Sequence, residues 1–219
     1  MATSNKRTSS PPRVRNPEAT KRRVLESAKR EFARHGLAGA RIDAIAERAK
    51  SNKQMIYHYF SNKAGLYLAA LEEAYSDIRK SERALELEHL EPAEALKTMV
   101  RFTWDYYVKH PEFLALVNNE NLHKAKHLKR SRVFGEMHSV FRARLSEILK
   151  RGVRQRVFRQ GVDADQLNLT IAAIGYYYLT NRYTNSMIYE TNLVTPDALE
   201  KRLAFNLDTI MRMVMRGKG

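Results

Sequence analysis

The sequence predicts an all-α protein, with an N-terminal three-helix helix-turn-helix unit ahead of a larger helical body and about nine helices in all. Apolar residues recur at three- and four-residue spacing along most of the chain. Alternating β-branched runs, the mark of strands, are scarce. Glycine and proline are few, nine and six among 219 residues, and several prolines stand where a helix would begin. No internal repeat is visible.

Residues 1–16 read as a flexible basic arm. Ser9-Ser10-Pro11-Pro12 and Asn16-Pro17 oppose helix formation, while Lys6, Arg7, Arg13 and Arg15 repel one another. Such an arm is either an untidy terminus or a tail that orders on nucleic acid. The first helix is expected from Pro17-Glu18, with Asn16 as its N-cap and Val24, Leu25, Ala28 and Phe32 on its apolar side. His35-Gly36 ends it. Ile42, Ile45, Ala46 and Ala49 mark a short second helix. Lys50-Ser51-Asn52 is a tight connection into a third, Lys53 to about Tyr59. Residues 17–63 thus form one compact unit, and a connecting helix runs over 63–85.

Residues 86–219 form the larger body. Pro92 opens a helix over 92–109, His110-Pro111 breaks it, and a shorter helix covers 111–124. A long amphipathic stripe follows over 129–158. Asp163 and Gln166 suggest a capping box for a helix running from 164 to about 189. Thr195-Pro196-Asp197 opens the last helix, 196–215.

The charge is uneven. The chain carries 39 Lys+Arg and 24 Asp+Glu, a net of +15; residues 1–63 hold 15 against 5, and residues 64–219 hold 24 against 19. An excess this large favours a polyanionic partner, and its position assigns that partner to the N-terminal unit. There is no cysteine, which excludes disulfides and thiolate chemistry. No apolar run approaches the length of a membrane span, and the first residues lack the apolar stretch of a signal peptide. A cytoplasmic location is expected, with no membrane partner. No glycine-rich phosphate loop, HExxH motif or serine-nucleophile setting is present, so neither an enzyme nor a cofactor is expected.

A tight helix pair in a cationic unit can lay its second member in the major groove of DNA. Helical spacing turns Ile56 and Phe60 inward, toward Ile42, Ile45 and Phe32. Lys53, Gln54 and Tyr57 then face outward. The alternative in another class is a basic helical protein that binds RNA or a membrane surface.

The run from Val24 to Leu66 carries a more specific signal. Val24-Leu25, Ala28, Phe32 and Gly36 are followed in register by Ile45-Ala46 and Ala49, then by Tyr57, Phe60, Lys63 and Leu66. In these positions the chain resembles the TetR family of bacterial transcriptional regulators. The likeness implies a DNA-binding regulator, most commonly a repressor released by a small-molecule effector, with activation or effector-free action as alternatives. Three positions depart from the family pattern. Ala40-Arg41 replaces the Thr/Ser that opens the second helix, at a cost of roughly 1 kcal/mol in lost capping. Lys50 replaces the turn glycine, and Gln54 replaces a small residue.

The resemblance implies that Lys53, Tyr57, His58 and Lys63 contact phosphates, and Lys63 also opens a long helix whose free N–H groups attract one. Gln54 and Met55 are the candidates for base contact, Gln54 by a bidentate pair with adenine and Met55 against a thymine methyl. Arg41 is placed to reach a base or the backbone. The resemblance also implies a homodimer on a double-stranded operator of two-fold symmetry, with its interface on helices 164–189 and 196–215. Gly175 is expected to let the partner's helix approach closely. For the effector, of unknown identity, the candidates are Trp104, Tyr107, Phe113, Asn118, Asn121, Phe141 and Tyr177: aromatic walls with a few polar anchors, the make-up of a small-molecule cavity.

Overall fold

A computed structural model describes residues 16–217, except for the side chains of 136–141 within a helix. Among the described residues there are ten α-helices and no strand. They are α1 (Pro17–Gly39), α2 (Ile42–Arg48), α3 (Lys53–Phe60), α4 (Lys63–Arg83), α5 (Pro92–Lys109), α6 (Pro111–Leu122), α7 (Phe134–Arg154), α8 (Ala164–Thr180), α9 (Arg182–Ile188) and α10 (Pro196–Val214). The expected basic arm, up to residue 15, lies outside the described residues.

Most helix starts follow local chemistry visible in the sequence. Asn16, Asn52, Asp163 and Thr195 each accept a bond from the backbone N–H three residues on, at 2.8–3.2 Å. Two stretches differ from expectation. The 129–158 stripe is a single 3-10 turn at Leu128–Arg130 followed by α7, at whose start Ser131 Oγ accepts from the Phe134 N–H. The 164–189 stretch is two helices, which raises the count to ten. Thr180 Oγ1 donates to the Tyr176 carbonyl at 2.8 Å and Asn181 Nδ2 to the Tyr177 carbonyl at 3.0 Å. These side chains bond carbonyls of the last turn, where α8 ends.

One core begins beneath the short helices and continues into the body. Val24, Ala28, Phe32, Ile45, Ile56 and Leu66 are wholly or almost wholly buried in it, and it extends to Trp104, Tyr107 and Phe113. A second core at the far end gathers Leu96, Leu145, Phe158, Ile171, Ile210 and Val214. Each such side chain contributes about 1.5–3 kcal/mol by leaving water. The long α4 joins the two regions: it packs on α1 and α3 near its start and on α7 farther along, while α1 rests on α6.

Candidate functional site

The three short helices are held by contacts that fix the outer face of α3. Gly36 adopts φ 63, which bends the end of α1 and turns the chain toward α2. Arg41 stands at the N-cap of α2 and its side chain makes no cap bond, as its sequence implies. Its own N–H is instead bound by Glu31 Oε1 at 3.1 Å. Glu31 is buried on α1, and its other oxygen lies 3.5 Å from Arg48 Nη2. A carboxylate brought from a neighbouring helix thus does part of what a capping box does, at the positive end of the helix dipole.

Lys50 sits at φ 51. Its N–H meets the Glu47 carbonyl at 3.0 Å, and the Ser51 N–H meets the Ala46 carbonyl at 2.9 Å. This is a Schellman end with lysine in the position that glycine fills without strain.

Ile56 and Phe60 are buried with Ile42, Ile45 and Phe32, as their spacing implies. The opposite side of α3 presents Lys53, Gln54, Tyr57 and His58 to solvent, with Met55 half-buried and Arg41 exposed nearby in sequence at the start of α2. Lys53 Nζ pairs with Asp43 at 2.8 Å, and this hydrogen-bonded carboxylate holds its pKa above the ordinary lysine value. Lys63 donates to the Ala38 carbonyl at 3.0 Å, tying the start of α4 to the end of α1.

Ser61 at φ 63 turns the chain between α3 and α4, and Asn62 caps α4 through the Gly65 N–H at 2.9 Å. A Cβ on Gly65 would lie 2.3 Å from the Phe60 carbonyl oxygen, so no larger residue fits that joint. Glu31, Asn62 and Gly65 were not singled out by sequence reasoning. An Asn directly before the long helix is a signal for the cap; the Glu31 contact crosses between helices and leaves none.

The expected effector residues divide. Trp104, Tyr107 and Phe113 are buried together; Tyr107 stacks on Phe113 with ring centres 6.0 Å apart, and Trp104 meets Tyr178 at 5.7 Å. Tyr75 joins them edge-on to Phe113 at 5.3 Å. Burial pushes the Tyr107 hydroxyl well above its ordinary pKa and Tyr75 up to about 12, so both remain protonated donors near neutrality. Asn118 accepts a bond from the Tyr176 hydroxyl. Asn121 is exposed and donates to the Val117 carbonyl of its own helix at 2.9 Å. Tyr177 is 60% exposed. The Phe141 side chain lies outside those described.

Gly175 corrects an expectation. A Cβ there would lie 3.5 Å from Tyr107 and 3.6 Å from Trp104. Gly175 is buried and faces α5 of the same chain, so it is not open to a partner's helix. Periodicity revealed the small face but not its neighbour.

Between the aromatic group and the short helices lies a buried polar link. Glu120 accepts from the backbone N–H groups of His127 at 2.7 Å and Leu128 at 3.0 Å, and its other oxygen lies 2.8 Å from His127 Nδ1. Burial alone would raise this carboxyl, but the hydrogen bonds and the imidazole bring it below the usual range. Tyr67 packs edge-on against His127 at 5.0 Å and against Phe32 at 5.1 Å, which continues the contact into α1. Among the described residues no group of three acidic or histidine side chains could hold a metal ion.

Comparison with known proteins agrees with this architecture over most of the chain. Residues 24–70 match the family described as bacterial regulatory proteins, tetR family, and residues 92–210 match the tetracyclin repressor-like C-terminal domain. The HTH-type transcriptional repressor NicS of Pseudomonas putida is 33% identical over 93% of this chain and 96% of its own. The HTH-type transcriptional repressor SCO4008 of Streptomyces coelicolor is 44% identical over 48% of this chain and 50% of its own. Among solved structures, the fatty acid degradation regulator FadR of Bacillus halodurans superposes with a TM-score of 0.68 at 18% identity, covering 91% of this chain and 97% of that one. A TetR family transcription regulator from Marinobacter aquaeolei gives 0.67 at 16% identity, with the same two coverages.

Proposed function

Since the chain belongs to the TetR family of bacterial regulatory proteins, we propose that it acts in the cytoplasm as a homodimeric repressor whose two α3 helices read the half-sites of a two-fold symmetric operator. It is a sequence-specific DNA-binding regulator and not an enzyme. The observation that carries the detailed reading is the outer face of α3, where Gln54, Tyr57 and His58 are free to meet a groove while Ile56 and Phe60 anchor the helix from behind. Gln54 and Met55 read bases. Arg41, Lys53, Tyr57, His58 and Lys63 hold the sugar-phosphate backbone, Lys53 and Lys63 exchanging their partners Asp43 and Ala38 for phosphate.

The dimer forms through α8 and α10. Leu169, Ala173 and Tyr177 make an exposed stripe at four-residue spacing on α8, and Phe205 and Met213 continue it on α10. Half-sites would lie about 34–36 Å apart or a multiple of that. The effector is a small molecule held among Trp104, Tyr107 and Phe113, with Asn118 and the tyrosine hydroxyls as polar anchors. No helix among the described residues is long and apolar enough to cross a membrane.

Selection of bound duplexes from a random pool tests the reading. The expected product is a palindrome whose affinity falls steeply with salt. Gln54→Ala should change the selected bases, whereas Tyr57→Ala should weaken all duplexes alike. Equal binding to single-stranded RNA or anionic vesicles with no preferred duplex would overturn it.

A further inference from the structure

The far end of the body carries a cationic surface that DNA reading does not use. α7 ends at Arg154, and the chain then turns through Arg156 at φ 59. Phe158 is buried against Gly152, where a Cβ would lie 2.0 Å from the ring, and forms an isolated bridge with Met215. The Arg159 N–H bonds the Val214 carbonyl at 2.9 Å, its Nε bonds the Met213 carbonyl at 2.6 Å, and the Arg216 N–H bonds the Val157 carbonyl at 3.0 Å. These bonds make a fixed frame from two distant stretches of sequence.

Two adjoining clefts of about 460 and 390 Å³ open on this frame and share Val153, Arg154, Arg159 and Gln160. Their charged lining is Lys150, Arg154, Arg156, Arg159 and Arg216, with no carboxylate on either lining. Glu147 pairs with Arg154 at 3.0 Å from outside it. The larger cleft also has apolar walls from Leu149, Val162 and Ala164.

From this geometry we infer a second ligand site, separate from the aromatic group of α5, for a soluble anionic amphiphile: a small molecule with a phosphate or carboxylate on an apolar body. Five cations share this lining and, among the described residues, only Arg154 is paired, with Glu147, so they repel one another, and a bound anion relieves that repulsion. The apolar wall favours a ligand with carbon surface to bury. The cleft volume is that of a small-molecule site. A nucleic acid backbone has no use for an apolar concavity, so it is not the favoured occupant.

Calorimetric titration with dodecyl phosphate, kept below its micelle concentration, tests the site. Dodecyl maltoside supplies the chain without the charge, and pyrophosphate the charge without the chain. Dodecyl phosphate should bind more tightly than either. The double change Lys150→Glu with Arg154→Glu should weaken it about tenfold or more, since charge-assisted bonds are lost. Arg156→Gly is a second variant that removes a cation while relieving its left-handed backbone; it should weaken binding by a smaller factor without loss of fold. Unchanged binding in both variants would overturn the inference. So would equal binding of the maltoside, or capture by phosphatidylglycerol vesicles or duplex DNA through these residues with no binding of the monomeric amphiphile.

Discussion

Replacing Glu31 with alanine removes a bond that the structure gives no second means of making. Glu31 is 4% exposed, and its carboxylate holds the Arg41 N–H at 3.1 Å and faces Arg48 at 3.5 Å. Arg48 is partly exposed and can turn to water, so its loss is small. The orphaned N–H costs about 1 kcal/mol, and the space left by a buried side chain adds a similar amount. Glu31→Ala should therefore lose about 2 kcal/mol, while Glu31→Gln, which keeps an acceptor oxygen, should lose about 1 kcal/mol or less. At this chain length the alanine change corresponds to a melting point lower by roughly 4–8 °C. Urea unfolding followed by circular dichroism, at one fixed protomer concentration, measures both variants. Operator affinity, measured where each is fully folded, should fall in the alanine variant because the start of α2 loosens. Equal stability of the two variants, or an alanine variant as stable as the parent, would refute the argument that Glu31 acts as a cap.

Lys50→Gly should stabilise the protein by about 0.5–1 kcal/mol, because a left-handed residue is relieved of its Cβ. Its operator affinity should fall through the lost charge, and a melting point unchanged or lower speaks against strain at this turn. Glu120 is held below the usual carboxylate range, so it contributes stability above its unfolded pKa that is lost as pH falls through the lower folded value. Glu120→Gln should flatten the acid limb of the pH–stability curve, and a parallel curve would remove Glu120 from it. Tyr177→Glu together with Phe205→Glu should convert the dimer to monomer in sedimentation and weaken operator binding; a persistent dimer would place the interface elsewhere.

The sequence made legible whatever depends on neighbours along the chain. Asn16, Asn52, Asp163 and Thr195 cap helices by bonds that span three residues. Ile56 and Phe60 declare the inner side of α3 by spacing alone. The end of α8 was hidden because apolar residues at helical spacing run on past it into α9. Glu31 and Gly175 were hidden for a different reason. Their partners, the Arg41 N–H and the pair Trp104 and Tyr107, lie on other helices, and spacing within one helix does not say what lies opposite. The link from Glu120 to His127 was likewise hidden, since it closes over Lys124 and Ala125, both at positive φ, where helical periodicity does not apply.

Gly65 has a mechanical consequence. With the Phe60 carbonyl seated against the first turn of α4, the joint between the two helices is an elbow without play. On the proposed reading, the angle at which α3 meets a duplex is inherited from the orientation of α4, which also packs against α7 in the body. In a two-fold assembly, the distance between the two reading heads is then set by how the bodies hold their α4 helices. Substitutions far from any base-contacting residue would alter which half-site spacing fits, leaving the bases preferred within each half-site unchanged.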